Sequence, residues 1–300
     1  MIDAIIVNGI IFGSMYALLA LGFTLIYGVS GIVNLAHGAF FMIGTYIFSV
    51  LINAFSLSIP AAWSNLTALL TVIITMILTG IIGSIFYRLM LHQIVGDDLA
   101  ILVVSVCGGL IFQQLVFIIF GTLFVPVPSL MKGNTTILNV RVPNGILLGA
   151  ICSWLFFIAL WLFITKTKNG KAMKALSQDR EAAMLMGINR EKTYMLTAAI
   201  SAGLASIAGI LIVSSTTGQA RADIWLQPLA LSFAIVILGG LGSIKGTVIG
   251  GFIFGFAEKI VAYAVPEGGS MVPAMPFIIL LLVLIVRPKG IFGKRIEMED

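Results

Sequence analysis

The sequence contains few charged residues. Only 10% of its 300 residues are Asp, Glu, Lys or Arg, against about 25% in a typical soluble domain. Hydrophobic residues make up 60% of the chain, and the mean hydropathy is +1.14. A soluble fold has too little interior to hide so much apolar surface, whereas a lipid bilayer removes the need to hide it. The composition therefore excludes a soluble globular protein.

Long stretches without any charge show how the chain meets the bilayer. Residues 5–27, 99–124 and 142–165 contain none. About 20 such residues span a bilayer as a helix, whereas membrane barrels alternate polar and apolar residues in short strands. We predict an all-α polytopic membrane protein with a single transmembrane domain over residues 1–300. The expected segments, about nine, are 5–27, 30–55, 61–88, 99–120, 144–165, 193–215, 228–240, 247–264 and 272–287.

Basic residues are distributed unevenly between the predicted loops. Thirteen of the 17 Lys and Arg residues fall on one side if 88–98, 166–192, the turn near 245 and the C-terminal tail are cytoplasmic. Because cytoplasmic loops carry an excess of Lys and Arg, we predict the N-terminus outside and the C-terminus inside, which nine crossings satisfy. The same bias explains the isoelectric point of about 9.3, so we expect no nucleic-acid partner. The four basic residues left outside are Lys132, Arg141, Arg221 and Lys259.

Cysteine is also scarce, and no basic segment precedes the first apolar run. Cys107 and Cys152 both fall inside predicted spans, so we interpret them as small buried apolar residues without a disulfide or metal role. Only Asp3 precedes the first apolar run, so we expect that run to be a transmembrane helix and not a signal peptide.

Glycine clusters interrupt two of the apolar regions. Irregular backbone at membrane depth is tolerated only inside protein or along a wet cavity. The clusters therefore indicate either a substrate path lined by broken helices, as in transporters with internal repeats, or close helix packing by small residues. One cluster contains Gly28, Ser30, Gly31 and Asn34, and the other contains Gly239, Gly240, Gly242 and Gly246.

Ionisable residues are nearly absent from the spans. His37 lies in the second span, and Glu258 and Lys259 lie near the outer end of a later one, where they can pair or reach the interface. A carrier driven by protons or sodium needs ionisable groups in the membrane, so we predict no proton relay. His92 is the only other histidine and lies in a different loop, so we expect no metal site.

Nucleotide-binding motifs are absent as well. Residues 187–193 lack the glycine that precedes lysine in a phosphate-binding loop, and 240–246 are one residue too long for a dinucleotide fingerprint. We predict that the chain is not an enzyme, holds no cofactor, and depends on another subunit for energy.

The longest polar stretch, 166–192, offers a place for such a subunit to act. Residues 171–186 predict a helix with Ala172, Leu176, Ala183 and Met186 on one side, and Gly187 is a natural terminator. From periodicity alone, the segment is also typical of an amphipathic helix at the membrane surface.

Within this loop, Glu181, Ala182 and Ala183, followed by Gly187, resemble the EAA motif of bacterial ABC importer permeases. The isoleucine and leucine-proline that often end the motif are not evident here. The resemblance implies that 166–192 is a cytoplasmic coupling loop, and that these four residues dock on an ATP-hydrolysing subunit.

A more specific resemblance covers nearly the whole chain. YGVSGIVNLAHGAFFMIGTY at 27–46 is similar to the opening of high-affinity branched-chain amino acid permeases, and matches the smaller of the two paired permeases better. LGGLGSIKGTVIGG at 238–251, the following Glu258, and the stretch 179–209 are similar to the same family in the same order.

This resemblance implies a multi-pass permease of the bacterial inner membrane that carries leucine, isoleucine or valine by alternating access. The implied partners are a second, homologous permease, two cytoplasmic ATPases that bind the ATP, and a periplasmic or lipid-anchored substrate-binding protein. Relatives move urea, short amides or sugars, so these substrates stay open as alternatives.

The family context also provides path residues. We expect Asn34, His37 and Gly38 to line the translocation path, although His37 also fits a buried imidazole that ties two helices together. Ser105, Gln113 and Gln114 fit a pore lining or, better, hydrogen bonds between helices.

Two other classes of protein compete with this interpretation. A stand-alone secondary carrier or channel would need no ATPase, and the scarce intramembrane charge and the motif at 181–187 argue against it. A membrane-embedded enzyme would need a convergent nucleophile, metal or acid pair within the spans, and the sequence offers none.

Overall fold

The computed structural model describes residues 1–58, 64–122, 124–286 and 290–292. These residues are mostly helical, which confirms the predicted all-α class. The helices are α1 (Ile2–Ser30), α2 (His37–Ser58), α3 (Ser64–Phe86), α4 (Asp98–Phe120), α5 (Asn144–Lys166), α6 (Lys168–Gln178), α7 (Arg180–Leu185), α8 (Arg190–Ser215), α9 (Leu226–Gly239), α10 (Ile244–Ala264), α11 (Gly268–Met271) and α12 (Met275–Val286). A π-helical turn (Tyr87–Leu91) and a 3-10 turn (His92–Ile94) extend α3, and a second 3-10 turn (Val272–Ala274) precedes α12.

Within the described ranges, four short strands lie at the end of the bundle opposite the loop 166–192. They are β1 (Val125–Pro126), β2 (Asn134–Ile137), β3 (Val140–Pro143) and β4 (Gln219–Ala220). β2 and β3 form an antiparallel hairpin, and β1 pairs antiparallel with β4. The second pairing joins the loop after α4 to the loop after α8.

Eight segments of the described residues are long and apolar enough to cross a membrane, and the last of them, Gly268–Ile285, runs through α11, the second 3-10 turn and α12. The predicted segment 228–240 corresponds to α9, whose 14 residues rise about 21 Å against a hydrocarbon core of about 30 Å. The count of nine and the orientation of the termini therefore stay predictions. The second span begins at His37 and not at residue 30, because Gly31 has φ +69° and residues 31–36 leave the helical path. The predicted bounds at 61–63 and 287 lie outside the described residues.

Two helices form the centre of the bundle. α1 is buried continuously from Ile11 to Ile26, as expected of a helix that is apolar around its whole circumference. α8 is buried from Ser201 to Leu211. α1 packs against α8, α9 and α10, and α8 packs against α2 and α3. The remaining helices form a shell around this pair.

Glycines bring α1 and α10 into backbone contact. A Cβ atom added to Gly255 would lie 2.6 Å from the Cα of Gly13, and one added to Gly251 would lie 2.7 Å from the Cα of Ala17. Gly250 faces α9 in the same way, since its added Cβ would lie 2.9 Å from the carbonyl oxygen of Ile235. These contacts confirm the close-packing interpretation of the glycines in α10.

α4 and α5 lie at the periphery and expose large apolar side chains. Ile118 is 72% exposed and Ile151 is 63% exposed, a surface suited to lipid. Cys107 of α4 is also exposed, and Cys152 of α5 is half-buried. The prediction that both cysteines are buried was wrong because these helices pack on one side only.

Most of the predicted cytoplasmic segments meet at one end of the bundle. His92 lies 3.7 Å from Glu191, which joins the segment 88–98 to the end of the loop 166–192. Gly28 packs against Gly242, which brings the two glycine clusters together. Which membrane face this end adjoins stays a prediction. The basic tail residues Arg287, Lys289, Lys294 and Arg295 lie outside the described residues.

Candidate functional site

The loop 166–192 folds into two helices instead of the single helix predicted for residues 171–186. α6 ends at Gln178 and α7 begins at Arg180, with Asp179 extended between them. The Asp179 carboxylate accepts a hydrogen bond of 3.0 Å from the N–H of Ala182. This bond satisfies a donor that the start of a helix leaves free. The continuous-helix prediction was wrong because Asp179 starts a new helix in mid-segment.

Burial divides this loop into an inner and an outer face. Met173, Leu176 and Ala183 are buried against the bundle, whereas Leu185 and Met186 are 88% and 83% exposed. The expectation that Ala183 and Met186 share a side was wrong, because α7 ends at Leu185 and Met186 no longer follows its helical spacing. Residues 184–186, which we call the apolar tip, form an exposed patch of the kind that marks interaction surfaces.

Gly187 terminates α7 as predicted. The N–H of Gly187 donates to the carbonyl oxygen of Met184 at 2.9 Å, and the N–H of Ile188 donates to that of Ala183 at 3.1 Å. This is the Schellman pattern, which needs a left-handed residue, and Gly187 has φ +83°. The turn leaves Glu181, Ala182 and Gly187 exposed beside the apolar tip.

Arg180 connects the loop to the membrane core. Its Nη2 donates a hydrogen bond of 2.9 Å to the carbonyl oxygen of Ser30, the last residue of α1. A cation is favourable at a helix C-terminus, where carbonyl groups lack intrahelical partners. The guanidinium also packs against Gly31, where a side chain would displace it. The loop 166–192 thus contacts the point at which α1 ends and the chain turns toward α2.

Asn34, His37 and Gly38 lie where the chain enters α2. The Oδ1 atom of Asn34 accepts a hydrogen bond of 3.1 Å from the N–H of Ala36, which shapes the turn. Gly38 packs against the carbonyl group of Trp225, just before α9. Asn34 and His37 are buried. The structure therefore encloses all three predicted path residues between helices.

His37 holds three helices together. Its Nε2 atom lies 3.0 Å from the carbonyl oxygen of Leu19 in α1, and its Nδ1 atom lies 3.4 Å from the hydroxyl of Ser201 in α8. Phe23 packs edge-on against the imidazole, with ring centres 5.6 Å apart. This geometry matches the interpretation of His37 as a buried tie, and a role in the path stays a prediction.

Two polar residues of α4 make hydrogen bonds to neighbouring segments, as predicted in preference to a pore lining. The hydroxyl of Ser105 accepts a hydrogen bond of 3.1 Å from the N–H of Leu35. Gln113 accepts one from the indole N–H of Trp225. These bonds anchor the break at 31–36 and the start of α9 to α4, while Gln114 is exposed.

A cavity of about 640 Å³ lies between α1, α8, α9 and α10, at the end opposite the loop 166–192. It extends from Thr216 and Gln219, after α8, to Leu19 near the middle of α1. Leu19 is also the residue whose carbonyl group contacts His37, so His37 lies directly behind the inner wall of this cavity. Apolar wall residues include Phe12, Phe41, Ile212 and Leu231.

Two charged pairs face this cavity. Glu258 accepts hydrogen bonds of 2.7 Å from the hydroxyl of Tyr16 and from the ammonium of Lys259, which confirms the expected Glu258–Lys259 pairing. In the segment between β4 and α9, Nη2 of Arg221 lies 2.7 Å from Oδ2 of Asp223. Tyr16, Arg221 and Asp223 were missed as site residues because no local spacing joins them to α10.

A family model described as a branched-chain amino acid transport system permease component matches residues 5–285. The chain belongs to this permease family. The match spans both the loop 166–192 and every residue that lines the cavity, and it confirms the resemblance drawn from residues 27–46 and 238–251. The chain is therefore a multi-pass membrane protein of a transport family.

Two branched-chain amino acid permeases are similar to this permease over nearly its whole length. It is 32% identical to the high-affinity branched-chain amino acid transport system permease protein LivH of Salmonella typhimurium, over 96% of this chain and 94% of the relative. It is 31% identical to the corresponding protein BraD of Pseudomonas aeruginosa, over 96% and 95%. The ribose import permease protein RbsC of Haemophilus influenzae is 28% identical over 51% of this chain and 47% of its own. Among solved structures, PsaBC from Streptococcus pneumoniae in complex with a Fab covers 95% of this chain and 92% of its own, at 15% identity and a TM-score of 0.49.

Proposed function

We propose that this permease is one membrane subunit of an ABC importer that carries branched-chain amino acids across the bacterial inner membrane by alternating access. The observation that supports this most is its similarity over nearly the whole chain to two proteins named as high-affinity branched-chain amino acid permeases. The ribose permease is similar over only half of the chain, so a sugar is the weaker alternative. The whole chain, 1–300, acts as one permease domain in this proposal.

The exposed face of the coupling loop supports the inferred ATPase partners. Glu181, Ala182 and Gly187 are exposed beside the apolar tip, and Ala183 anchors α7 to the bundle. We infer that one of two cytoplasmic ATPases docks here and that those subunits bind the ATP. A second, homologous permease and a periplasmic or lipid-anchored substrate-binding protein complete the importer.

The path prediction for Asn34, His37 and Gly38 takes a more specific form in this proposal. His37 acts from behind the inner wall of the cavity, because it contacts the backbone of Leu19, while Asn34 and Gly38 shape the entry to α2 that holds His37 in place. Arg180 provides the contact through which movement of the coupling loop reaches the end of α1 and the adjoining turn. A docking event at α7 can thereby move the segment that supports the cavity wall.

Reconstitution tests this proposal. The permease, purified in mild detergent with its second permease and ATPases and placed in liposomes, is expected to take up radiolabelled leucine only with ATP and the binding protein present. Ribose and urea should not be taken up. If the chain is reproducibly purified alone and transports leucine without ATP, it is a secondary carrier and the proposal is wrong.

A further inference from the structure

The cavity between α1, α8, α9 and α10 combines apolar walls with charges of both signs. Among its lining residues the charged ones are Arg221, Asp223, Glu258 and Lys259, two cations and two anions. Glu258 and Lys259 lie within α10, and ionisable groups in a transmembrane segment are costly and mark functional sites by default. The cavity volume of about 640 Å³ lies in the range of small-molecule sites, roughly 300–1,000 Å³.

The inner pair is held in place by protein contacts. Each carboxylate oxygen of Glu258 accepts one hydrogen bond, from Tyr16 or from Lys259. The ammonium of Lys259 lies 3.6 Å from the centre of the Phe12 ring, a favourable cation–π distance. The side chains of Lys259 and Glu258 are only 13% and 7% exposed, so the pair forms a fixed polar floor among apolar groups.

The outer pair is accessible. The side chains of Arg221 and Asp223 are 57% and 48% exposed, and the guanidinium of Arg221 lies 5.4 Å from the centre of the Phe124 ring. A solute that enters from the end of the bundle that holds the short strands therefore meets a cation and a carboxylate side by side before it reaches the apolar walls.

We propose that this cavity binds a zwitterionic α-amino acid with an apolar side chain, and this inference rests on the proposed function. A solute with a single charge is attracted by one member of each pair and repelled by the other. A zwitterion presents an ammonium and a carboxylate within a few ångströms of each other, so it complements both members of a pair at once. Its apolar side chain then lies against Phe12, Ile212 and Leu231.

Protection of an introduced cysteine from labelling tests this site directly. Thr216 is exposed, lines the cavity and carries no charge. In the assembled complex with Cys107→Ala and Cys152→Ala, Thr216→Cys is labelled with a water-soluble thiol reagent in nanodiscs, which leave both membrane faces accessible. Leucine at ten times its dissociation constant should slow labelling about tenfold. Leucinamide, 4-methylpentanoate and ribose should give no protection.

Matched variants show whether the charges recognise the ligand. Thr136→Cys, exposed on the β2–β3 hairpin, should be labelled at the same rate with and without leucine. Added to Thr216→Cys, Arg221→Gln should abolish protection, whereas Arg141→Gln on that hairpin should leave it unchanged. Glu258→Gln should act like Arg221→Gln, with Glu267→Gln as its control. Because Arg221 is exposed, its variant keeps the test valid if Glu258→Gln fails to fold.

The outcomes separate this inference from the proposed function. If the reconstituted importer takes up leucine but leucine does not protect Thr216→Cys, the cavity is not the site and the importer assignment stands. If leucine protects but is not imported with ATP, the importer assignment fails and the site stands. Equal protection by ribose would overturn the charge argument. Nanodiscs of anionic lipid alone remove zwitterionic headgroups. If labelling without leucine is slow in zwitterionic lipid and fast in anionic lipid, and leucine slows it no further, a lipid headgroup occupies the site and the proposal is overturned.

Discussion

At the residue scale, His37 shows how one polar side chain is accommodated in an apolar core. A buried polar group without a partner costs about 1–3 kcal/mol, and both ring nitrogens of His37 have partners in neighbouring helices. The sequence shows a lone histidine in an apolar span. It cannot identify the partners, because Leu19 and Ser201 lie 18 and 164 positions away.

Replacing His37 by leucine should lower stability. His37→Leu keeps the bulk of the side chain but removes both contacts, so we expect a loss of about 1–3 kcal/mol, measured as a lower unfolding temperature of the purified complex in detergent. His92→Leu is the control, because His92 is 43% exposed and a surface pair contributes less than about 1 kcal/mol. An unchanged unfolding temperature together with lost transport would show that His37 acts on the substrate and is not a tie.

Replacing Glu181 by glutamine should weaken docking of the ATPase. Glu181 is exposed at the start of α7, whereas Ala183 is the residue of α7 that is buried against the bundle. We expect roughly tenfold weaker ATPase binding, equivalent to about 1.4 kcal/mol, measured by surface plasmon resonance on permease nanodiscs. Glu191→Gln, the same change in the first turn of α8, should bind normally. Unchanged binding by Glu181→Gln would remove the coupling assignment.

At the element scale, α7 shows where local patterns mislead. Ala, Met, Leu and Lys around Asp179 favour helix, so the segment 171–186 resembles one continuous helix. The signal for the break was present, because an aspartate three positions before Ala182 is a good N-cap. In the sequence, the helix propensity of the surrounding residues outweighed the N-cap signal of Asp179. In the structure, burial of Leu176 and Ala183 fixes α6 and α7 separately against the bundle.

The α1–α10 contact should not tolerate a methyl group at Gly255. A Cβ there would lie 2.6 Å from both the Cα and the N of Gly13, and backbone atoms inside a helix cannot rotate away. We expect Gly255→Ala to cost about 1–3 kcal/mol, seen as a lower unfolding temperature and a lower yield of monodisperse permease. Gly269→Ala, where no atom lies within 4 Å of the added carbon, should behave as wild type. Equal stability of the two variants would show that α1 and α10 separate easily.

At the scale of the whole molecule, the sequence predicts the spans better than the cavity. Continuous apolar runs define helices independently of their neighbours, which is why α1, α4, α5 and α8 lie close to their predicted bounds. The cavity depends on packing between distant segments, since Tyr16 and Glu258 are 242 positions apart. No periodicity within one helix identifies such a pair. Of the three predicted path residues, His37 contacts a residue of the cavity wall, Leu19, and none of the three lines the cavity itself.

Arg180 joins the loop 166–192 to the end of α1, so its replacement should uncouple ATP hydrolysis from transport. Arg180→Gln removes a charged hydrogen bond to the end of α1 but leaves Glu181 and the apolar tip available for docking. We therefore expect normal assembly and normal phosphate release, with several-fold less leucine imported per ATP. Both quantities are measured in the same proteoliposomes.

Arg190→Gln is the control, because Arg190 lies over the ring of Tyr194 and has no bond to α1 among the described contacts. If uptake and hydrolysis fall in proportion, Arg180 serves docking and not transmission.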